Sequence, residues 1–386
     1  LGSNYRERLA AHYRGHFLDW PLLEVCNRHD RMFAAAQRAG MAVPATAPWP
    51  GTTREELDRI PKPCVVKPVS KYMVNGDNLW LEPFLRTFGK KALKAESSTE
   101  VESILDRCGS EGIPVVVQEY IPGQVRDLVT VVLYANGGRV VSHFTGLKLR
   151  QGPPDCGTCT YGESCRDADE AVELARRLVN AIGCDGIAEV EFKRDRRDGR
   201  LTLMELNPRA TVFCIIANAH GINLPLMAYN DLTDGAPLSA AEPAGKAVVR
   251  WMDPYRDLLQ SGRSDGAKQV SLLGWLRQLH GTDLLCWGGR RDPLPLLLAP
   301  VQGMCEWLGD KFKSARPPAL SPVKGPADTG YLDYREERSH QIGLRSVMWS
   351  HEDYNVLVDA RQKGLLDRAL GDIRGKKVLD LCCGTG

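Results

Sequence analysis

Apolar and polar residues alternate most regularly over residues 186–209, GIAEVEFKRDRRDGRLTLMELNPR. Period two predicts a strand over 187–193, with Ala188, Val190 and Phe192 on one face and Glu189 and Glu191 on the other. A turn rich in Asp, Arg and Gly follows, then a second strand over 201–206, so the segment reads as a hairpin. Two further apolar runs read as buried strands: CVVKPVS at 64–70 and VVVQEYIPG at 115–123, the latter closed by a Pro122-Gly123 turn. Helical spacing takes over elsewhere. It predicts a short helix after residue 53 capped by Thr52 or Thr53, one over 98–108, and one over 167–182 packed through Ala171, Leu174, Ala175, Leu178 and Ile182. Residues 253–312 look helical, with Leu272, Leu273, Trp275 and Leu276 as the apolar face. A last helix is predicted over 353–370, followed by a short strand over 378–381. Strands and helices are interspersed, so the class is α+β for most of the chain.

The hairpin also carries candidate chemistry. Glu205 and Asn207 lie two apart and so point to one side of the second strand, and Glu191 on the paired strand can face them. Two carboxylates and an amide oxygen form a hard-oxygen set of the kind Mg²⁺ (or Mn²⁺) accepts when phosphates complete its shell. Arg209 adds a cation suited to a transferring phosphoryl group or an oxyanion. Lys148 and Arg150 are likewise two apart on a predicted strand, which places them on one face. They read equally as solvated charges or as contacts near a reaction centre. Cys156-x-x-Cys159 and then Cys165 have a metal-like look, but no second pair follows, so packing is favoured over a zinc site.

Composition narrows the class. The 386 residues carry 50 Lys and Arg against 48 Asp and Glu, a net charge of +2, which gives no electrostatic footprint for nucleic acid. The 12 cysteines have no framework spacing, and with no signal peptide they point to reduced thiols in a cytoplasmic protein. No apolar run approaches the roughly 20 residues needed to span a bilayer.

Three elements, in order, resemble the ATP-grasp superfamily, in particular its carboxylate–amine ligases. They are Lys67-Pro68 at the end of the 64–70 run, the 115–123 run, and the 186–209 hairpin. The resemblance covers about residues 28–252. It implies an ATP-grasp fold of two α+β lobes with antiparallel sheets gripping ATP. Within it, Lys67 would contact ATP phosphate. Gln118, Glu119, Tyr120 and Ile121 would line the adenine, and Asp127, expected on the following strand, would hold the ribose. Lys148 and Arg150 would approach an acyl phosphate or the acceptor. Glu191, Glu205 and Asn207 would hold the metal. One position departs from the family. Eleven residues before Gly40 the family usually has an Asp-Lys or Asp-Arg pair, whereas this chain has His29 flanked by Arg28 and Asp30-Arg31, so the cation is either histidine or a neighbour.

The C-terminal KKVLDLCCGTG, residues 376–386, resembles the first motif of class I S-adenosylmethionine-dependent methyltransferases. That resemblance implies a truncated Rossmann-like α/β start in which Asp380, Gly384 and Gly386 serve S-adenosylmethionine. The expected organisation is a remnant or linker over 1–27 and an ATP-grasp domain over 28–252, with its small lobe at about 64–123 and its large lobe at about 124–252. A helical extension over 253–312, a proline-rich linker over 313–335 and the methyltransferase start over 336–386 follow. The chain thus reads as a piece of a ligase–methyltransferase fusion.

The implied activity is ATP- and Mg²⁺-dependent joining of a small-molecule carboxylate, activated as acyl phosphate, to an amine. Two alternatives stay open: an inactive ATP-binding module regulating the methyltransferase, and ATP-grasp chemistry of the carboxylase or carbamoyl type. No nucleic-acid or membrane partner is expected, and the oligomeric state is not written in the sequence.

Overall fold

The computed structural model describes residue 10 and residues 14–70, 81–153, 156–233, 248–261 and 270–286. The expectations for 313–335 and 336–386, including Asp380, Gly384 and Gly386, lie outside the described residues. The elements in order are α1 (Trp20–Asn27), α2 (His29–Arg38), β1 (Thr46–Trp49), α3 (Arg54–Asp58), β2 (Cys64–Pro68), α4 (Leu81–Phe88), β3 (Leu93–Ala95), α5 (Ser98–Ser110), β4 (Val115–Glu119), β5 (Leu128–Asn136), β6 (Arg139–Gly152), β7 (Thr158–Ser164), α6 (Asp169–Ile182), β8 (Gly186–Arg194), β9 (Leu201–Asn207), α7 (Phe213–Ala219), α8 (Leu224–Leu232), β10 (Arg250–Met252), α9 (Pro254–Ser261), α10 (Leu272–His280) and β11 (Leu284–Leu285).

Two sheets form. The smaller has strand order β1-β4-β2-β3 and is antiparallel throughout. β4 is its buried strand, with all five residues inside, and Val115 and Val117 join the apolar core of this lobe. α5 covers this sheet. Its cap is Ser97, whose hydroxyl accepts the Glu100 amide, so the helix starts where the polar-to-apolar pattern indicates. α3 starts at a capping box between Thr53 and Glu56, which decides between the two threonines expected.

The larger sheet has order β11-β10-β7-β6-β5-β8-β9, antiparallel except for the short β10–β11 pair. One face packs on α6 and α2 through Met32, Phe33, Ala171, Leu178, Val190 and Phe192. The other face is covered towards one end by α7 and α8, through Phe213, Ile216, Leu224 and Met227 over Val132 and Tyr134. The rest of that face stays open and looks toward the smaller sheet. α6 ends at Gly183 in the left-handed conformation, φ 69°, which a residue with a Cβ adopts only at a cost.

Three sequence expectations change here. Of the segment read as a remnant or linker, residues 14–27 lie against the larger lobe. Leu18, Leu22 and Cys26 join its main core, and the His16 imidazole sits 3.0 Å from the Tyr134 hydroxyl. The apolar face assigned to α10 holds only at Trp275, which is buried, whereas Leu272, Leu273 and Leu276 are 63%, 70% and 47% exposed. Trp275 and Leu279, one turn apart, make the contact instead, packing with Met252 and Tyr161. Asp127 sits not on a strand but at the end of a single 3₁₀ turn, Val125–Asp127.

Candidate active site

A cleft of about 350 Å³ opens between the two sheets. From the smaller sheet it is lined by Lys67 and by residues 118–121, and from the larger by Lys148, Glu191, Glu205, Asn207 and Arg209. His29, at the first turn of α2, lines it as well. The structure thus brings together every expected site residue among those described except Asp127 and Arg150.

The carboxylate side is set by strand register. Glu191 lies directly across from Glu205, and Glu189 directly across from Asn207. A bulge at Met204 makes this possible. Residues 201, 203, 205 and 207 share parity, so a regular strand would turn Glu205 and Asn207 into the core beside Leu201 and Leu203. The register shifts between Glu191 and Phe192, Phe192 pairs with Leu203, and Met204 is the extra residue. The apolar series Leu201, Leu203, Leu206 already carries this change of phase.

Lys148 and Glu191 form a buried ion pair at 2.6 Å. Burial acts to lower the Lys148 pKa, but the charges of Glu191 and Glu189 outweigh it and hold it above the ordinary lysine value. Arg150 goes elsewhere. Register shifts on both sides of it swing the side chain off the cleft face, and Gln151 takes the cleft position instead. Arg150 then makes two hydrogen bonds to Asp257, at 2.9 and 2.6 Å, and stacks over the Tyr161 ring at 4.7 Å. The expectation that Lys148 and Arg150 share a face is therefore corrected: Arg150 is a structural partner of α9. Asp127 is also outside the lining. Its carboxylate closes its own turn on the Gln124 amide at 2.6 Å and pairs with Arg196 at 2.7 Å.

On the opposite wall, burial lowers the Lys67 pKa to about 8, so near neutrality the group sits close to titration with its charge poorly solvated. Gln118 Oε1 is buried and has no hydrogen-bond partner, an acceptor waiting at the cleft surface. The Glu119 carboxylate accepts the Ala45 amide at 3.1 Å and pairs with Arg197, from the β8–β9 turn, at 2.6 Å. Lys94 and Lys193, one from each sheet, approach the Tyr120 ring at 4.7 and 4.9 Å. Of the possible cations near residue 29, Arg28 is held by Asp30 at 2.8 Å and Arg31 pairs with Glu24. His29 itself is the one facing the cleft.

Sequence reasoning assigned no role to Glu189, Lys193, Gln151 or Thr211, all of which line the cleft. Parity put Glu189 and Lys193 within reach, since both alternate with Val190 and Phe192. Glu189 is the most deeply placed. It accepts from Asn207 Nδ2 at 3.2 Å and from Thr211 Oγ1 at 2.6 Å, and burial, with the nearby Glu191 charge, pushes its pKa up to about 7.

Among the described residues no three His, Cys, Asp or Glu side chains gather as a metal-holding cluster. Cys159 is buried, and burial pushes its thiol up to about 12, away from the thiolate a metal needs, whereas Cys156 is exposed. The oxygen set of Glu191, Glu205 and Asn207 is of another kind. It is short by itself and fits a hard divalent cation only together with ligand phosphates. Among the described residues no helix is long and apolar enough to cross a membrane.

Several known proteins are similar to parts of this chain. Residues 114–254 match the family model described as ATP-grasp in the biosynthetic pathway with Ter operon. A D-aspartate ligase of Enterococcus faecium (strain Aus0004) is 25% identical over 191 residues, 47% of this chain and 45% of that ligase, so the chain spans about half the length of this curated relative. Among solved structures, an L-amino acid ligase from Bacillus licheniformis is 17% identical with a TM-score of 0.44, covering 60% of this chain and 54% of that one. A carboxyaminoimidazole ribonucleotide synthase from Aspergillus clavatus, complexed with ATP, is 15% identical with a TM-score of 0.49, covering 68% and 66%. The sequence comparison supports the ATP-grasp superfamily for this part of the chain.

Proposed function

We propose that this ATP-grasp chain is part of an ATP-dependent ligase that activates a small-molecule carboxylate as its acyl phosphate and joins it to an amine. One observation carries the reading: three cations, Lys67, Lys148 and Arg209, and three oxygen-bearing side chains, Glu191, Glu205 and Asn207, converge on one cleft between two sheets. The ligase relative and the family match support the reaction class.

The nucleotide would lie with its base against residues 118–121, where the orphaned Gln118 Oε1 needs a donor such as an exocyclic amine. Lys67 would meet the phosphates. Glu191, Glu205 and Asn207 would hold Mg²⁺ or Mn²⁺, which supplies charge neutralisation at the β- and γ-phosphates. Lys148 offsets the Glu191 charge from within the protein. Arg209, at the rim, is placed to stabilise the oxygens of a phosphoryl group in transit. Phosphoryl transfer needs positioning and electrostatics rather than covalent help, and this cleft offers both. Acyl phosphate formation would move the γ-phosphoryl group of ATP to the carboxylate oxygen, with ADP as the leaving group. Attack by the amine then expels phosphate and releases a proton.

The test is phosphate release from ATP with Mg²⁺, screened over pools of carboxylic acids and amino-acid acceptors, with mass analysis for the amide. Release that needs both an acid and an amine, with the matching amide mass, is expected. Nucleotide binding with no turnover over all pools would favour a regulatory module, and no nucleotide binding would sink the reading. The fusion to a methyltransferase is part of the same proposal and rests on the motif of residues 376–386 and the helix expected over 353–370; S-adenosylmethionine binding by the full-length protein tests it.

Lys67 gives a pH prediction. Its pKa of about 8 lies below the unfolded lysine value, and anionic phosphates favour the charged form, so nucleotide binding should raise it. At pH 8.5 binding should therefore take up a fraction of a proton, and affinity should fall as pH rises further. Calorimetry in buffers of different ionisation enthalpy measures this. Uptake that persists unchanged in Lys67→Met would assign the proton to another group. In the ligand-free protein the unfolded chain holds the extra proton between about pH 8 and the ordinary lysine value, so stability should rise with pH across that window.

A further inference from the structure

The oxygen set contains one ambivalent member. Glu191 and Glu205 present only oxygens, but an asparagine amide has a donor end and an acceptor end, and only the Oδ1 end can face a cation. Glu189 removes the ambiguity. Its carboxylate lies across the hairpin from Asn207 and takes Asn207 Nδ2–H at 3.2 Å. An ionised carboxylate offers no hydrogen to Oδ1, so the planar amide must turn its NH₂ toward Glu189 and its Oδ1 away. The other Glu189 oxygen is fixed by the Thr211 hydroxyl at 2.6 Å, so the carboxylate cannot rotate freely. All three residues line the cleft, and Glu189 and Asn207 are 5% and 6% exposed, so water competes little for these bonds.

We propose that Glu189 is a positioning residue that locks the Asn207 amide with its oxygen toward the bound divalent cation. This rests on the cation reading of the cleft given above. Glu189 touches neither cation nor nucleotide in this role; it acts through Asn207. Partners of this outer kind typically contribute about 10–100-fold in metal affinity.

The test exchanges the two functional groups. Mn²⁺ binding is counted by electron paramagnetic resonance in the presence of saturating ADP at pH 8. Glu189→Gln lets the amide turn either way, and Mn²⁺ affinity should fall about tenfold with ADP affinity measured without metal unchanged. Asn207→Asp alone sets two buried carboxylates face to face and should lower the melting temperature. The double variant, Glu189→Gln with Asn207→Asp, regains one hydrogen bond and an oxygen toward the cation. It should melt higher than Asn207→Asp and bind Mn²⁺ at least within about threefold of the natural protein, a non-additive result.

Mn²⁺ affinity unchanged in Glu189→Gln, or a double variant as weak as that single one, would overturn the proposal. Should Glu189→Gln fail to fold, the double variant alone decides. Glu205→Gln is the control that separates the two ideas. Loss there with no effect at Glu189 discards only the positioning role, whereas Mn²⁺ binding unaffected by Glu205→Gln discards the cation site itself.

Discussion

Glu205→Gln should lower Mg²⁺- and ATP-dependent phosphate release about a hundredfold, ~2.7 kcal/mol of transition-state stabilisation, while the protein stays folded. The two halves of that expectation have separate causes. Glutamine keeps the shape of the side chain but loses the charge that balances a cation held against the phosphates. Glu205 is only half-buried, so a neutral amide at its place is solvated and the fold loses little. Its cross-strand neighbour Glu191 is a poorer choice for this experiment, because it neutralises buried Lys148 at 2.6 Å. Removing Glu191 would strand that cation and mix a folding defect into the kinetics. Turnover is measured at saturating ATP over a range of Mg²⁺ concentrations, beside a melting curve. Full turnover by a folded Glu205→Gln protein would remove Glu205 from the site.

The second large effect lies outside the cleft. Asp257→Ala is expected to lower the unfolding free energy by ~3–5 kcal/mol, the loss typical when one partner of a buried charge pair is taken away. Asp257 is fully buried and accepts four side-chain hydrogen bonds: two from Arg150, one from Thr160 Oγ1 at 2.9 Å and one from Trp275 Nε1 at 2.9 Å. These donors come from β6, β7 and α10, so one carboxylate ties α9 and α10 to the larger sheet. Its loss leaves a guanidinium, a hydroxyl and an indole N–H to find partners in a place with little water. Urea unfolding of the variant against the natural protein reads the effect. A loss below about 1 kcal/mol would show that the donors find other partners or solvent. Arg150→Met should be similarly damaging, since it leaves the Asp257 charge alone, and this sets the behaviour of Arg150 apart from that of a surface cation.

Arg150 also shows why part of the site was hidden in the sequence. Parity on an ideal strand puts it beside Lys148, and parity is a sound rule while the strand is regular. Bulges break the rule, and they respond to what packs on the strand from elsewhere in the chain. Here Asp257, 107 positions away, holds Arg150 on the far side, and Gln151 takes its place in the cleft. Asp127 was misplaced for a related reason: an aspartate three residues after the start of a turn can close that turn on a backbone amide, and it does. In α10 the misreading came from counting leucines, when one tryptophan at the right angular position buries more than three leucines facing outward.

The sequence by itself determined the α+β class, the two strand-rich lobes, the hairpin with its acidic face, and the residue types available for the chemistry. These follow from local rules, period two against period 3.6, caps such as Ser97 and Thr53, and glycine where φ is positive, and local rules are written in neighbouring residues. Only the tertiary structure decided which charged groups meet. The Met204 bulge that turns Glu205 and Asn207 outward, the pairing of Lys148 with Glu191, and the Glu189 bond to Asn207 all depend on how strands pair in register and pack. A buried charge takes the partner that the packed fold brings within about 3 Å, and that choice is made in space rather than along the chain.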